Sequence, residues 1–309
     1  MKILLGILSF WIIYNRLVQI PEFKSQFLFW LSDPRLYGIL ILVLVMMPIN
    51  WGIESYKWQL TTGQIEQVSY ITAIKSVFSG ICAGNVAPGR AIEFLAKIVF
   101  FKPENRLSIT ILHFINGMFQ MLITVTFGLI SIAYKLSEAN NSLQIVYFTL
   151  IGGVLMLVFF SWAILNPAEI QSKLKFIPWF KSMDGGQKLH FSKEIVIKLI
   201  TLSVIRYATF TSQFYLIYHA LCPETSVLVA FTSIAAYFML TSVIPMISYI
   251  EPAIRAAIAI FVFNNTSDNA VSVVLASTFV WLINVVIPSI IGYIIILKEK
   301  IEIKLPNAN

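Results

Sequence analysis

The sequence predicts an all-α, polytopic integral membrane protein with about six full spans and two re-entrant or broken hairpins, arranged in two pseudo-repeat halves. Three observations carry that prediction. AVILMFWYC residues make up 58% of the 309 positions against 12% DEKR, whereas soluble domains carry about a quarter charged residues. Charge-free stretches at 37–53, 107–134, 139–168, 225–250 and 269–297 approach or exceed the length a helix needs to cross the hydrocarbon core. Two other apolar segments break at a proline beside a polar cluster, the pattern of interrupted helices in transporter-type repeats.

Taken in order, 3–20 is an apolar span interrupted only by Arg16, and with no small-residue cleavage pattern after it, it is expected to stay as an anchor. Span 36–53 follows. The first broken segment runs apolar through Val77 to Ala87, stops at Asn85-Val86-Ala87-Pro88-Gly89-Arg90, and resumes with Glu93 and Lys97. Spans 107–134 and 145–165 come next, then a polar stretch, 166–194, holding an expected amphipathic helix around 168–179. Span 195–221 carries Arg206 well inside. The second broken segment stops at Pro245, 157 residues after Pro88, and resumes at Glu251-Pro252-Ala253-Ile254-Arg255; span 270–297 closes the set. The whole chain, 1–309, reads as one membrane domain with halves of roughly 1–165 and 195–309.

Charge distribution supports that order. With both broken segments re-entrant, fifteen of the 22 Lys and Arg residues fall on the cytoplasmic side, four outside, and Arg90, Arg206 and Arg255 at membrane depth, a bias of the sign expected for cytoplasmic termini. The formal charge of +7 is thereby explained by orientation rather than nucleic acid. Cys82 and Cys222 sit in apolar runs without metal spacing, so no disulfide framework and no metal site is expected.

Ionisable groups in a span are costly, about 2.5 to 3.5 kcal/mol at the centre on insertion scales, so each needs a reason. Arg90, Glu93 and Lys97 share one face if helical, and Glu251 and Arg255 repeat the i, i+4 spacing beside the second break. Two readings stand: ion pairs closing helix ends, or an anion-receptive cavity in which guanidinium groups hold a phosphate. His113, Asn116 and Gln120 form a stripe at i, i+3, i+7, as do Arg206, Thr209 and Gln213, and such faces serve interhelical hydrogen bonding or a cavity wall. Asn50, Trp51, Glu54, Tyr56, Lys57 and Trp58 end the second span and read as an interfacial aromatic and charged belt. No catalytic motif, Gly-rich phosphate loop or cofactor signature is present, so no cofactor and no enzymatic role is expected.

Asn50-Trp51-x-x-Glu54-x-x-Lys57-Trp58, Asn85-x-x-Pro88-Gly89-Arg90-x-x-Glu93, the intramembrane Arg206, and Pro245 followed by Glu251 and Arg255 resemble the lysylphosphatidylglycerol synthase transmembrane-region family, also called flippase-like. The resemblance runs over nearly the whole chain. It implies a multi-pass plasma (inner) membrane protein that moves a phospholipid between leaflets. The cytosolic aminoacyl-transfer domain of the family's bifunctional members is expected to be lacking, so lipid aminoacylation is not implied. The expected function is a lipid flippase that binds an anionic or aminoacylated headgroup through Arg90, Glu93, Arg206, Glu251, Arg255, His113, Asn116 and Gln120. Membrane lipids are the expected partners, with a cytosolic partner at 166–194 or a second copy as further candidates. The alternatives are an accessory or scaffold subunit of a lipid or glycan pathway, and an intramembrane lipid-phosphate transferase.

Overall fold

The computed structural model describes residues 32–86, 92–138, 143–174, 188–244, 251–263 and 270–299. All regular structure among them is helical. In chain order the helices are α1 (Pro34–Thr62), α2 (Tyr70–Val86), α3 (Glu93–Ile98), α4 (Arg106–Glu138), α5 (Leu143–Leu165), α6 (Pro167–Leu174), α7 (Lys193–Leu221), α8 (Val227–Val243), α9 (Glu251–Phe263), α10 (Ala270–Trp281) and α11 (Ile287–Lys298). Four helical stretches are long and apolar enough to cross a membrane: α1, α4 with the turn before it, α7, and α10 joined to α11. α5 makes a fifth, bent by 91° at its junction with α6. That bend falls where Pro167 lacks an N–H and disfavours helical backbone at Asn166. The expected 3–20 span lies outside the described residues.

Local signals set the boundaries. The Asp33 carboxylate accepts from the Arg35 N–H at 2.8 Å and Pro34 opens α1; Ser192 and Ser226 cap α7 and α8 by accepting from Ile195 and Val229. Between α10 and α11 the chain makes one π turn over Leu282–Val286. Pro288 explains it: proline cannot donate to the carbonyl four residues back, that of Asn284, and the wider turn relieves the clash. The freed carbonyl is taken by the Trp51 Nε1–H at 3.2 Å.

Both broken segments appear as hairpins. α2 and α3 fold against one another, with the Ser76 hydroxyl donating to the Lys97 carbonyl at 3.1 Å and the Lys97 stem lying over Gly80. At six residues, α3 is about 9 Å long and cannot span. α8 and α9 pack likewise.

The succession α1 to α4 recurs as α7 to α11. α1 and α7 each have 29 residues and α2 and α8 each have 17. The hairpin arms Tyr70 and Val227 lie 157 residues apart, and Glu93 and Glu251 lie 158 apart. Packing recurs too. α1 runs antiparallel against α7, Val43 meeting Gln213 and Glu54 meeting Arg206. α2 crosses to pack on α11, and α8 crosses to pack on α4. Each crossing closes on a glycine. A β-carbon at Gly292 would strike the Phe78 carbonyl, and one at Gly128 would strike the Met239 side chain, the close approach that small residues permit between membrane helices. α5 lies on α4 over a separate cluster of Val125, Leu129 and Met239.

Candidate functional site

Two polar features occupy this framework. The first is a cavity of about 350 Å3, within the size range of small-ligand pockets, where the ends of both hairpins meet the π turn. Asn85 enters it from the last turn of α2, Glu251 from the first turn of α9, and Trp281, Ser289 and Tyr293 from α10 and α11, with Cys82, Ile290 and two valines making up the apolar wall. Asn85 Nδ2 donates to Ser289 Oγ, which donates to the Val285 carbonyl at 2.6 Å. Glu251 Oε1 receives the Arg255 Nε and Nη2 groups, each at 2.8 Å, and Arg255 also meets the Tyr237 hydroxyl. The two interruptions that stood out in the sequence therefore end on the same space. Arg90 lies outside the described residues.

The second feature is a buried ion cluster on the α1–α7 crossing. Glu54 is its centre. Its Oε1 accepts from Asn116 Nδ2 at 2.9 Å, while its Oε2 faces Arg206 Nε at 3.4 Å and Lys57 Nζ at 3.6 Å. Asn116 Oδ1 accepts in turn from the Thr61 hydroxyl at 3.3 Å, and Asn50 Nδ2 donates to Asn284 Oδ1 at 3.0 Å. The Arg206 guanidinium carbon lies 5.2 Å from the Trp51 ring centre and 5.9 Å from that of Phe210, so the cation has two aromatic neighbours. A neighbouring pair extends the cluster toward α3: Lys97 Nζ is 2.9 Å from Glu93 Oε1 and 3.3 Å from His113 Nδ1, over the Trp58 ring. Trp58 Nε1 donates to the Ser76 hydroxyl at 2.9 Å, tying α1 to α2.

The expected site residues thus divide between two centres. Glu251 lines the cavity, and Arg255 reaches it only through its pairing with Glu251. Glu93, His113, Asn116 and Arg206 belong to the ion cluster, and Gln120 reaches the Ser203 carbonyl on α7 at 3.4 Å. Thr209 leaves its expected stripe, its hydroxyl turned back to the Ile205 carbonyl, while Gln213 holds the Val43 carbonyl at 3.0 Å.

The interfacial belt is corrected by the structure. Asn50, Trp51, Glu54, Lys57 and Trp58 are all buried, Lys57 and Trp58 completely, and only Tyr56 is exposed. Lys57 and Lys97, counted among the cytoplasmic charges, lie inside the bundle. The missed signal was a period: Asn50, Trp51, Glu54, Lys57, Trp58 and Thr61 recur at helical spacing on one face, and Tyr56 falls off it.

A polytopic helical membrane protein with two hairpins meeting at a largely apolar cavity that carries a few polar groups is the class that this geometry defines. The model of the lysylphosphatidylglycerol synthase TM region matches residues 3–292, and the chain belongs to that family. No significant match is found among curated proteins.

Proposed function

We propose that the protein moves a phospholipid between leaflets, its headgroup entering the cavity between the hairpins while the acyl chains stay in the bilayer. The observation that carries this reading is the convergence of both helix breaks, at Asn85 and Glu251, on one cavity. Irregular backbone at membrane depth is stable only where protein or a wet space satisfies its polar groups. The recurrence of α1–α4 as α7–α11, with α1 and α7 antiparallel, supports an inverted repeat, the architecture that lets one site face either side in turn.

In this reading Glu251 and Arg255 meet the headgroup at the cavity wall, and Arg90 adds a cation from the first break. Glu93, His113, Asn116, Gln120 and Arg206 line the inner path. The protein sits in the plasma (inner) membrane with cytoplasmic termini, and movement is passive or driven by an ion gradient.

The test is transbilayer movement of fluorescent phosphatidylglycerol in proteoliposomes, read by dithionite quenching. Wild-type protein is expected to accelerate movement over protein-free vesicles. Ser289→Trp, which fills the cavity beside Asn85, should abolish the acceleration without changing the amount of folded protein. Full activity in Ser289→Trp, or none in the wild type, overturns the reading.

A further inference from the structure

Among the described residues the Glu54 cluster contains an imbalance of charge. Two cations share one carboxylate. Lys57 is completely buried, yet its ammonium has no hydrogen-bond acceptor among the described residues, and its distance of 3.6 Å to Glu54 is an ion pair rather than a hydrogen bond. Arg206, which keeps 14% of its side-chain exposure, is also short of an acceptor: its Nε faces Glu54 at 3.4 Å without hydrogen-bond alignment. One side chain offers three donors and the other five, all on charged groups.

Asn116 takes the other Glu54 oxygen, while Oε2 faces both cations without a hydrogen bond, so one negative charge is shared between two positive ones. The neighbouring Lys97 is matched by Glu93 at 2.9 Å, so that pair adds no net charge. Around the α1–α7 crossing the described groups therefore sum to one uncompensated positive charge in a largely desolvated place. Such a charge is expensive unless an acceptor pairs with it. Trp51 and Phe210 each place a ring within 6 Å of the Arg206 guanidinium, contacts that stabilise the cation without neutralising it.

We propose that Lys57 and Arg206 form an anion-binding site that takes the oxygens of a singly charged phosphodiester between them. The site rests on the translocation reading for its ligand's source, since a lipid headgroup and a free phosphate ester share this chemistry. Arg206 supplies the planar fork that suits two oxygens, Lys57 the point charge, and Glu54 a counter-charge that competes with the ligand for both. A single negative charge balances the cluster; a second would meet the Glu54 carboxylate with nothing left to offset it.

The test measures lipid retention on the purified full chain by native mass spectrometry, with phosphatidylglycerol, phosphatidylcholine and glycerophosphoglycerol as probes. Wild-type protein should retain phosphatidylglycerol, and Lys57→Met should weaken that retention at least tenfold while Lys57→Arg keeps most of it. Glu54→Gln gives the opposite sign, tighter retention, and keeps the test decisive should Lys57→Met fail to fold. Binding of glycerophosphoglycerol as strong as that of the lipid assigns the site to free phosphate esters; binding of the lipid alone assigns it to a headgroup. Unchanged anion retention in Lys57→Met together with no gain in Glu54→Gln overturns the site, even if wild-type protein moves lipid. Retention that depends on Lys57 without any transbilayer movement leaves the site standing and removes the translocation reading.

Discussion

Replacing Glu54 with Gln tests whether the α1–α7 crossing is held by charge. Gln keeps the oxygen that Asn116 binds at 2.9 Å and removes only the negative charge opposite Lys57 and Arg206. Breaking a buried pair by deleting one partner costs about 3 to 5 kcal/mol. The Glu54 and Arg206 side chains keep 11% and 14% of their exposure, so the lower end, about 3 kcal/mol, applies. Glu54→Ala also strands the Asn116 amide and should cost about 1 kcal/mol more. Removing Arg206 as well should return part of the loss, because the double variant carries one unmatched cation, Lys57, instead of two. Unfolding in mixed micelles by titration with a denaturing detergent measures these differences, with helicity as the signal. A Glu54→Gln variant within about 1 kcal/mol of wild type would refute the charge argument and leave Glu54 as an uncharged spacer.

Two further substitutions probe the packing. Gly292→Leu should destabilise by at least about 1 to 3 kcal/mol, because backbone rather than a flexible side chain blocks the new atoms, whereas Gly38→Leu, with nothing near its β-position, should be neutral in the same titration. Trp58→Phe removes the donor to Ser76 but leaves that hydroxyl its bond to Lys97, so a loss of about 1 kcal/mol and no change in helicity are expected.

Much of the architecture could be read from residues alone, for identifiable reasons. Charge-free runs of spanning length have one stable form in a bilayer, so α1, α4, α5 and α10–α11 follow from composition, while α7 follows from an apolar run that carries Arg206. Pro88 and Pro245 marked the two breaks because proline removes a donor that lipid cannot replace. The pairs Glu93–Lys97 and Glu251–Arg255 followed from i, i+4 spacing, and both form. The Glu54 cluster was harder to see. A Trp, Tyr and Lys group near a span's end has the composition of an interface, and only its helical period separates an inward stripe from a belt. That the stripe faces α7 depends on how α1 and α7 cross, which no local pattern encodes. The Asn50–Asn284 and Asn85–Ser289 contacts, each joining residues more than two hundred positions apart, belong to the same class.

The carbonyl released by Pro288 lies between the two centres and touches both through one chain of contacts. Trp281 and Val285, which wall the cavity, flank Asn284, whose backbone oxygen is fastened to Trp51, and Trp51 lies under the Arg206 guanidinium. The cavity wall and the Arg206 cation thus share one indole ring as their link, held at one end by a backbone hydrogen bond and facing the guanidinium at the other.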